Sequence, residues 1–189
     1  MAQVQGWRQH SQHRPGCCLA KVTQAWASAK QAPFIGTLTE IVLICGCTKF
    51  YLLSATPYLI RFTETGSPAI GFIASTQLAQ NIPFAIKRVF WTYGTPAGVL
   101  RGQHANKATE EVLVAVTGSI RVETDNGKSK QTFELNDPSE GLYLPAMCWT
   151  DLHFASGTVA VCLTSTDFEE SDYIRDYATF QRMAAHLAL

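Results

Sequence analysis

At 189 residues the chain is long enough for one ordinary domain with additional segments, and short for two. An apolar fraction of 47% with 16% charged residues excludes a disordered polyelectrolyte. Lys plus Arg and Asp plus Glu are both 15, so the formal net charge is zero, and nothing marks a nucleic-acid or anionic-membrane partner.

Residues 1–55 read as an N-terminal extension of uncertain structure. Gln, His and Ser are scattered there with neither strand nor helix period, and His10 and His13 read as solvated polar residues. The apolar run over 41–53 is interrupted by Lys49 and is shorter than the ~20 residues that span a bilayer. It also begins too far along the chain for a secretory signal. A chain beginning near Thr56 is therefore expected to fold as stably as the full-length protein.

From Thr56 the character changes. Short β-branched and aromatic runs alternate with turn residues, the pattern of an all-β barrel built from many short strands. Strands are expected over 58–63, 70–75, 85–93, 102–106, 111–117, 119–124, 130–134, 141–144, 150–154 and 159–165. Asp125-Asn126-Gly127 is the strongest hairpin signal, because Asn-Gly tolerates positive φ. In the run before it, Ile120 and Val122 should face one side and Arg121 and Glu123 the other. Residues 167–189 read as a helical tail, with Ile174, Tyr177, Phe180 and Met183 at three-residue spacing and Asp172, Arg175 and Asp176 capping and anchoring it.

The 6 cysteines carry no CxxC spacing and no His-rich neighbour, so a zinc site is not expected. Cys148 and Cys162, each inside an apolar run, read as buried thiols. This usage fits a reducing compartment, taken here as the cytoplasm.

One stretch concentrates the chemistry. Gly98, His104, Asn106, Glu111 and Gly118 follow the spacing of the first cupin motif, with Asn106 where the second His of a His-x-His pair would stand. Residues i and i+2 on a strand share a face, so His104 and Asn106 should both project into the barrel mouth. Where a second motif would supply another His, the chain reads Pro145-Ala-Met-Cys-Trp-Thr150, with Thr150 near that place. Two of four usual ligand positions thus lack strong donors, and no metal or other cofactor is expected.

Ile82-Pro-Phe-Ala-Ile-Lys-Arg-Val89, Arg101-Gly-Gln-His-Ala-Asn-Lys107, Gly141-Leu-Tyr-Leu-Pro145 and Asp172-Tyr-Ile-Arg-Asp-Tyr177 together resemble the WxcM-like cupin family of sugar 3,4-ketoisomerases. The resemblance implies a cupin jelly roll over residues 56–189, closed by the C-terminal helix. It also implies an isomerase that moves the keto group of a dTDP-linked 4-keto-6-deoxyhexose from C4 to C3, in the biosynthesis of deoxysugars for surface polysaccharides. In such a reaction an imidazole takes a proton from C3 and returns one to C4. His104 keeps the family's first histidine and is expected to be the acid/base. Asn106, replacing the second, cannot carry a proton between carbons, but its amide can hydrogen-bond an enediolate.

Arg101 matches a family arginine and suits the pyrophosphate of a nucleotide sugar. Arg88, Lys107, Glu111 and Trp149 are further candidates for substrate contact, Trp149 also fitting plain core or dimer packing. The resemblance implies a homodimer. A competing expectation, motivated by Asn106 and Thr150, is a cupin that binds the nucleotide sugar without turnover, or an accessory protein of the same pathway.

Overall fold

The computed structural model describes residues 56–77 and 81–187, so the expected N-terminal extension, with His10, His13 and the run at 41–53, lies outside the described residues. In chain order the strands are β1 (Tyr58–Arg61), β2 (Thr63–Ser67), β3 (Gly71–Ser75), β4 (Arg88–Thr92), β5 (Leu100–Asn106) and β6 (Glu111–Thr117). They continue with β7 (Ile120–Asp125), β8 (Lys130–Leu135), β9 (Glu140–Leu144), β10 (Trp149–Phe154), β11 (Val159–Thr164) and β12 (Tyr173–Ile174). A helix, α1 (Tyr177–Leu187), closes the chain.

Two five-stranded antiparallel sheets, in the orders β1-β9-β6-β11-β4 and β12-β5-β10-β7-β8, face one another. β2 and β3 form a separate hairpin. The space between the sheets is filled by one apolar cluster drawing Leu113, Ile120, Val122, Leu135, Leu142, Phe154 and Cys162 from six strands. Side chains alternate across each pleat, so this core takes every second residue. Ile120 and Val122 are fully buried while Arg121 is exposed, as the alternation predicts. Each such apolar side chain contributes roughly 1.5–3 kcal/mol by leaving water. The architecture is a cupin-type jelly-roll barrel.

Two further clusters cover the outer faces. Ile60, Phe62, Ile82 and Phe84 lie over Val112, Val114 and Tyr143 of the first sheet. Beneath α1, Trp149 and Ala105 of the second sheet pack against Phe180 and Ala184. The Asp125 turn is a four-residue loop whose Gly127 takes φ 82°, and a Cβ there would meet Ala184 Cβ at 2.5 Å. Asp125 and Asn126 hold it by accepting from the Gly127, Lys128 and Ser129 amides. Cys148 and Cys162 are buried thiols.

Four expectations change. The strand expected over 58–63 is interrupted at Phe62, whose side chain turns into the outer cluster while its amide pairs with Ser139 O. The strand expected over 85–93 runs only from Arg88 to Thr92, and Ile82 and Phe84 ahead of it pack over the first sheet. The tail is not helical from 167. A 3-10 turn (Glu170–Asp172) and the short β12 precede α1, and Ile174 lies on that strand rather than on the helix. Asp176 does cap α1, its Oδ1 accepting from the Thr179 amide at 2.8 Å. Asp172 instead caps the β5–β6 turn. Its carboxylate accepts from the amides of Ala108 and Thr109 at 2.8 and 3.1 Å.

Candidate active site

β5 does not run straight. Gly102 has φ 76° and Gln103 has φ 54°, and the pairing with β10 slips by one residue there. Thr150 pairs with His104, Asp151 with Gly102, and Leu152 with Arg101. This is a β-bulge. Thr150 and Leu152 lie two apart on one strand and share a face, so their partners His104 and Arg101 share it too. In a regular strand, residues three apart would point to opposite sides. Only glycine fits at 102, since a Cβ would stand 2.6 Å from Thr150 O.

The bulge also orients the imidazole. His104 Nδ1 lies 3.0 Å from Gly102 O. A carbonyl can only accept, so Nδ1 carries a hydrogen, and in the neutral ring Nε2 is the nitrogen that bears the lone pair. The ring leans on Tyr173, 4.9 Å away between centroids, which β12 delivers beside Asn106. Tyr173 is in turn covered by the Arg175 guanidinium at 4.5 Å, and Arg175 is fixed by Glu170.

Across the interior, Arg88 of β4, Thr164 of β11 and Glu111 of β6 form one cross-strand row. Arg88 Nη2 lies 3.5 Å from Tyr173 Oη, and its guanidinium rests over Phe90 and Phe168 at 5.1 and 5.3 Å. Glu111 is buried, and burial pushes its carboxyl above the ordinary value. His104, the Asn106 amide and Arg88 oppose that rise, and Asp172 adds to it. Among the described residues, two buried side-chain polar atoms have no protein partner, Arg88 Nε and Asn106 Oδ1. Both belong to this group. Buried polar atoms are nearly always satisfied, so a lone donor and a lone acceptor here suit a polar ligand.

The structure thus brings together His104, Asn106, Glu111 and Arg88, with Arg101 exposed on the same face of β5. Thr150, buried, pairs directly with His104. Lys107 lies just outside, its Nζ donating to Ser171 O at 2.5 Å in the turn. Trp149 is not part of the group: it faces outward under α1, packed on Tyr177 and Phe180. Its neighbour Thr150 points inward, and strand alternation makes both true at once. Tyr173 is the residue that sequence reasoning missed as a site member. It stood in a segment read as helix, although the Asp172-to-Tyr177 block carried part of the resemblance. Among the described residues no three His, Cys, Asp or Glu side chains converge as a metal site would need.

The family model described as "FdtA: WxcM-like, C-terminal" matches residues 56–185. The chain belongs to this family. A curated relative from Aneurinibacillus thermoaerophilus, named TDP-4-oxo-6-deoxy-alpha-D-glucose-3,4-oxoisomerase, is 39% identical over 120 residues, covering 63% of this chain and 86% of the relative. QdtA, a sugar 3,4-ketoisomerase from Thermoanaerobacterium thermosaccharolyticum solved with TDP, superposes with a TM-score of 0.67 at 31% identity. That match covers 70% of this chain and 97% of QdtA. The Campylobacter jejuni TDP-fucose-3,4-ketoisomerase WlaRA gives 0.66 at 31% identity, over 71% and 100%. In this WxcM-like member the strands that carry Arg88, His104, Asn106, Glu111 and Tyr173 all lie within the matched span.

Proposed function

We infer that this protein is an isomerase that moves the keto group of a TDP-linked 4-keto-6-deoxyhexose from C4 to C3, within deoxysugar biosynthesis. The observation that carries the reading is His104, whose Nδ1 is committed to Gly102 O, leaving Nε2 as a base. A hydrogen on carbon beside a carbonyl is acidic enough for a positioned imidazole to remove. His104 takes the C3 hydrogen, an enediol forms, and the same imidazole returns a proton to C4. Asn106 Oδ1, without a protein partner, is placed to accept from an enediol hydroxyl. This differs from the donor role that the sequence suggested for it. Arg101, exposed on the same strand face, and Arg88 supply positive charge for the pyrophosphate and the sugar oxygens.

Incubation with TDP-4-keto-6-deoxyglucose, followed by NMR of the sugar, tests the reading. A 3-keto product is expected. Saturable binding with no product would transfer the protein to the binding-only class.

A homodimer is part of the proposal. The outer face at β4, an edge strand, exposes Val89 at 49% and Trp91 at 63%, and the β2–β3 hairpin exposes Ile70, Phe72 and Ile73. Exposed large apolar side chains of this kind are ordinarily covered by a partner. Light scattering of Trp91→Glu against the parent protein checks it, with loss of the dimer expected. No described helix is long and apolar enough to cross a membrane. A nucleotide-sugar substrate accords with the cytoplasmic location expected from the sequence.

A further inference from the structure

Moving a keto group between neighbouring carbons requires two proton transfers on carbon and two on oxygen. As C3–H leaves, the C4 carbonyl oxygen must gain a hydrogen to become the enediol. As C4 gains its hydrogen, the C3 hydroxyl must lose one. A single imidazole can serve the carbons, but it holds the carbon-derived proton while the oxygens exchange theirs. The hydrogen on oxygen can pass directly between the neighbouring oxygens or through a second carrier, and Asn106 cannot be that carrier because an amide does not titrate in this range.

Glu111 stands where such a carrier would stand. It is the first residue of β6 and shares an interior face with Leu113 and Ala115, which lie deeper in the core cluster. Glu111 is 8% exposed, and His104 and Asn106 of β5 both lie close enough to bias its ionisation. The charged and titratable groups that face it are His104 from β5, Arg88 from β4 and Asp172 from the 3-10 turn. The buried thiols of Cys162 from β11 and Cys148 before β10 are near enough for a charge on Glu111 to raise them further. Two of the side chains that bias it, Asn106 and Arg88, each carry a buried polar atom without a protein partner, Oδ1 an acceptor and Nε a donor.

We propose that Glu111 is the second proton carrier of the reaction, a role that rests on the ketoisomerase reading. Glu111 enters as the carboxylic acid and His104 as the neutral imidazole. His104 takes the proton from C3 while Glu111 gives its hydrogen to the C4 oxygen, leaving an imidazolium, a carboxylate and a neutral enediol. The imidazolium then protonates C4, the C3 hydroxyl returns its hydrogen to Glu111, and both groups regain their starting forms. No net charge enters or leaves the site at any stage. Burial, which disfavours the carboxylate, keeps the acid form available, and the transient ion pair with His104 offsets the cost of ionising it. A buried acid beside an amide thus replaces the proton-carrying capacity that a second histidine would bring.

The test is the pH dependence of kcat in the parent protein, Glu111→Gln, and the double variant Asn106→His/Glu111→Gln. In the parent, kcat should fall at high pH as Glu111 loses the hydrogen that it must donate. In Glu111→Gln, kcat should drop by about 100-fold or more, with KM within about threefold and the alkaline fall gone. Restoring an imidazole at 106 should recover at least about tenfold, which a merely structural role for Glu111 would not allow. Unchanged kcat and an unchanged alkaline limb in Glu111→Gln would overturn the proposal while leaving the ketoisomerase reading intact. No keto migration by the parent protein would sink the ketoisomerase reading itself, and Glu111's role with it. Should Glu111→Gln not fold, infrared spectra of the parent protein decide. A protonated-carboxyl band disappearing with the midpoint of the alkaline limb supports the proposal, and its absence overturns it.

Discussion

The hydrogen bond from His104 Nδ1 to Gly102 O, 3.0 Å long, couples the conformation of a β-bulge to the chemistry of the imidazole. The carbonyl points at the ring because Gly102 and Gln103 both sit at positive φ. A straight strand would present neither that acceptor nor Arg101 on the same face. Backbone irregularity at this position therefore selects which imidazole nitrogen can act as a base.

Gly102→Ala should disturb this coupling directly. Its Cβ would meet Thr150 O at 2.6 Å with φ held near 76°. The cost to stability is expected at about 1–3 kcal/mol. Among molecules that still fold, kcat should fall by about tenfold or more, because a misdirected base loses much of its contribution. Thermal denaturation and steady-state kinetics on the same preparation separate the two effects.

Tyr173 is expected to act through His104. Tyr173→Phe keeps the ring packed at 4.9 Å and loses the 3.5 Å contact to Arg88, so kcat/KM should change by less than about fivefold. Tyr173→Ala removes the surface on which the imidazole rests, and a loss of about tenfold or more in kcat is predicted. Equal effects from the two substitutions would assign the role to the hydroxyl instead.

Glu111 makes stability fall with rising pH. Its carboxyl is raised in the fold, so the folded state holds its proton to higher pH than the unfolded chain, whose carboxyl titrates near 4.5. Stability from this group is complete below that value and is lost as pH rises through the raised one. Glu111→Gln should therefore raise Tm relative to the parent at pH 8, and do so less at pH 4. Calorimetry at the two pH values checks the sign.

Cys148 and Cys162 should resist alkylation in the native protein. Burial pushes the Cys148 thiol up to about 12 and raises Cys162 well above its ordinary value, so almost no thiolate is present near neutrality. Iodoacetamide followed by peptide mass spectrometry should find both unmodified until denaturant is added.

Much of the barrel was legible because strand alternation is local. Ile120 and Val122 announce a buried face against Arg121 and Glu123 without reference to any other strand. The spacing from Gly98 to Gly118 likewise placed His104 and Asn106 on one face, and the structure keeps them there. What escaped was non-local. Gln103 carries no compositional sign of its positive φ, so the bulge that turns Arg101 to the His104 side could not be read. Tyr173 reaches His104 only because two residues pair with β5, a strand too short to outweigh the helical spacing of its neighbours. Trp149 fitted both substrate contact and core packing in the sequence, and α1, by laying an apolar cover on the outer face, makes it a packing residue. Asp172 suggested a helix cap and instead binds amides far away in sequence.

The central claim is that His104 moves the proton between C3 and C4. Incubating TDP-4-keto-6-deoxyglucose with the parent protein and with His104→Asn in heavy water, and following the sugar by NMR, tests it most directly. The parent protein should give a 3-keto product with exchange at C3 and C4, and His104→Asn should slow both by more than about 100-fold. Isomerisation at the parental rate in the His104→Asn variant would contradict the account.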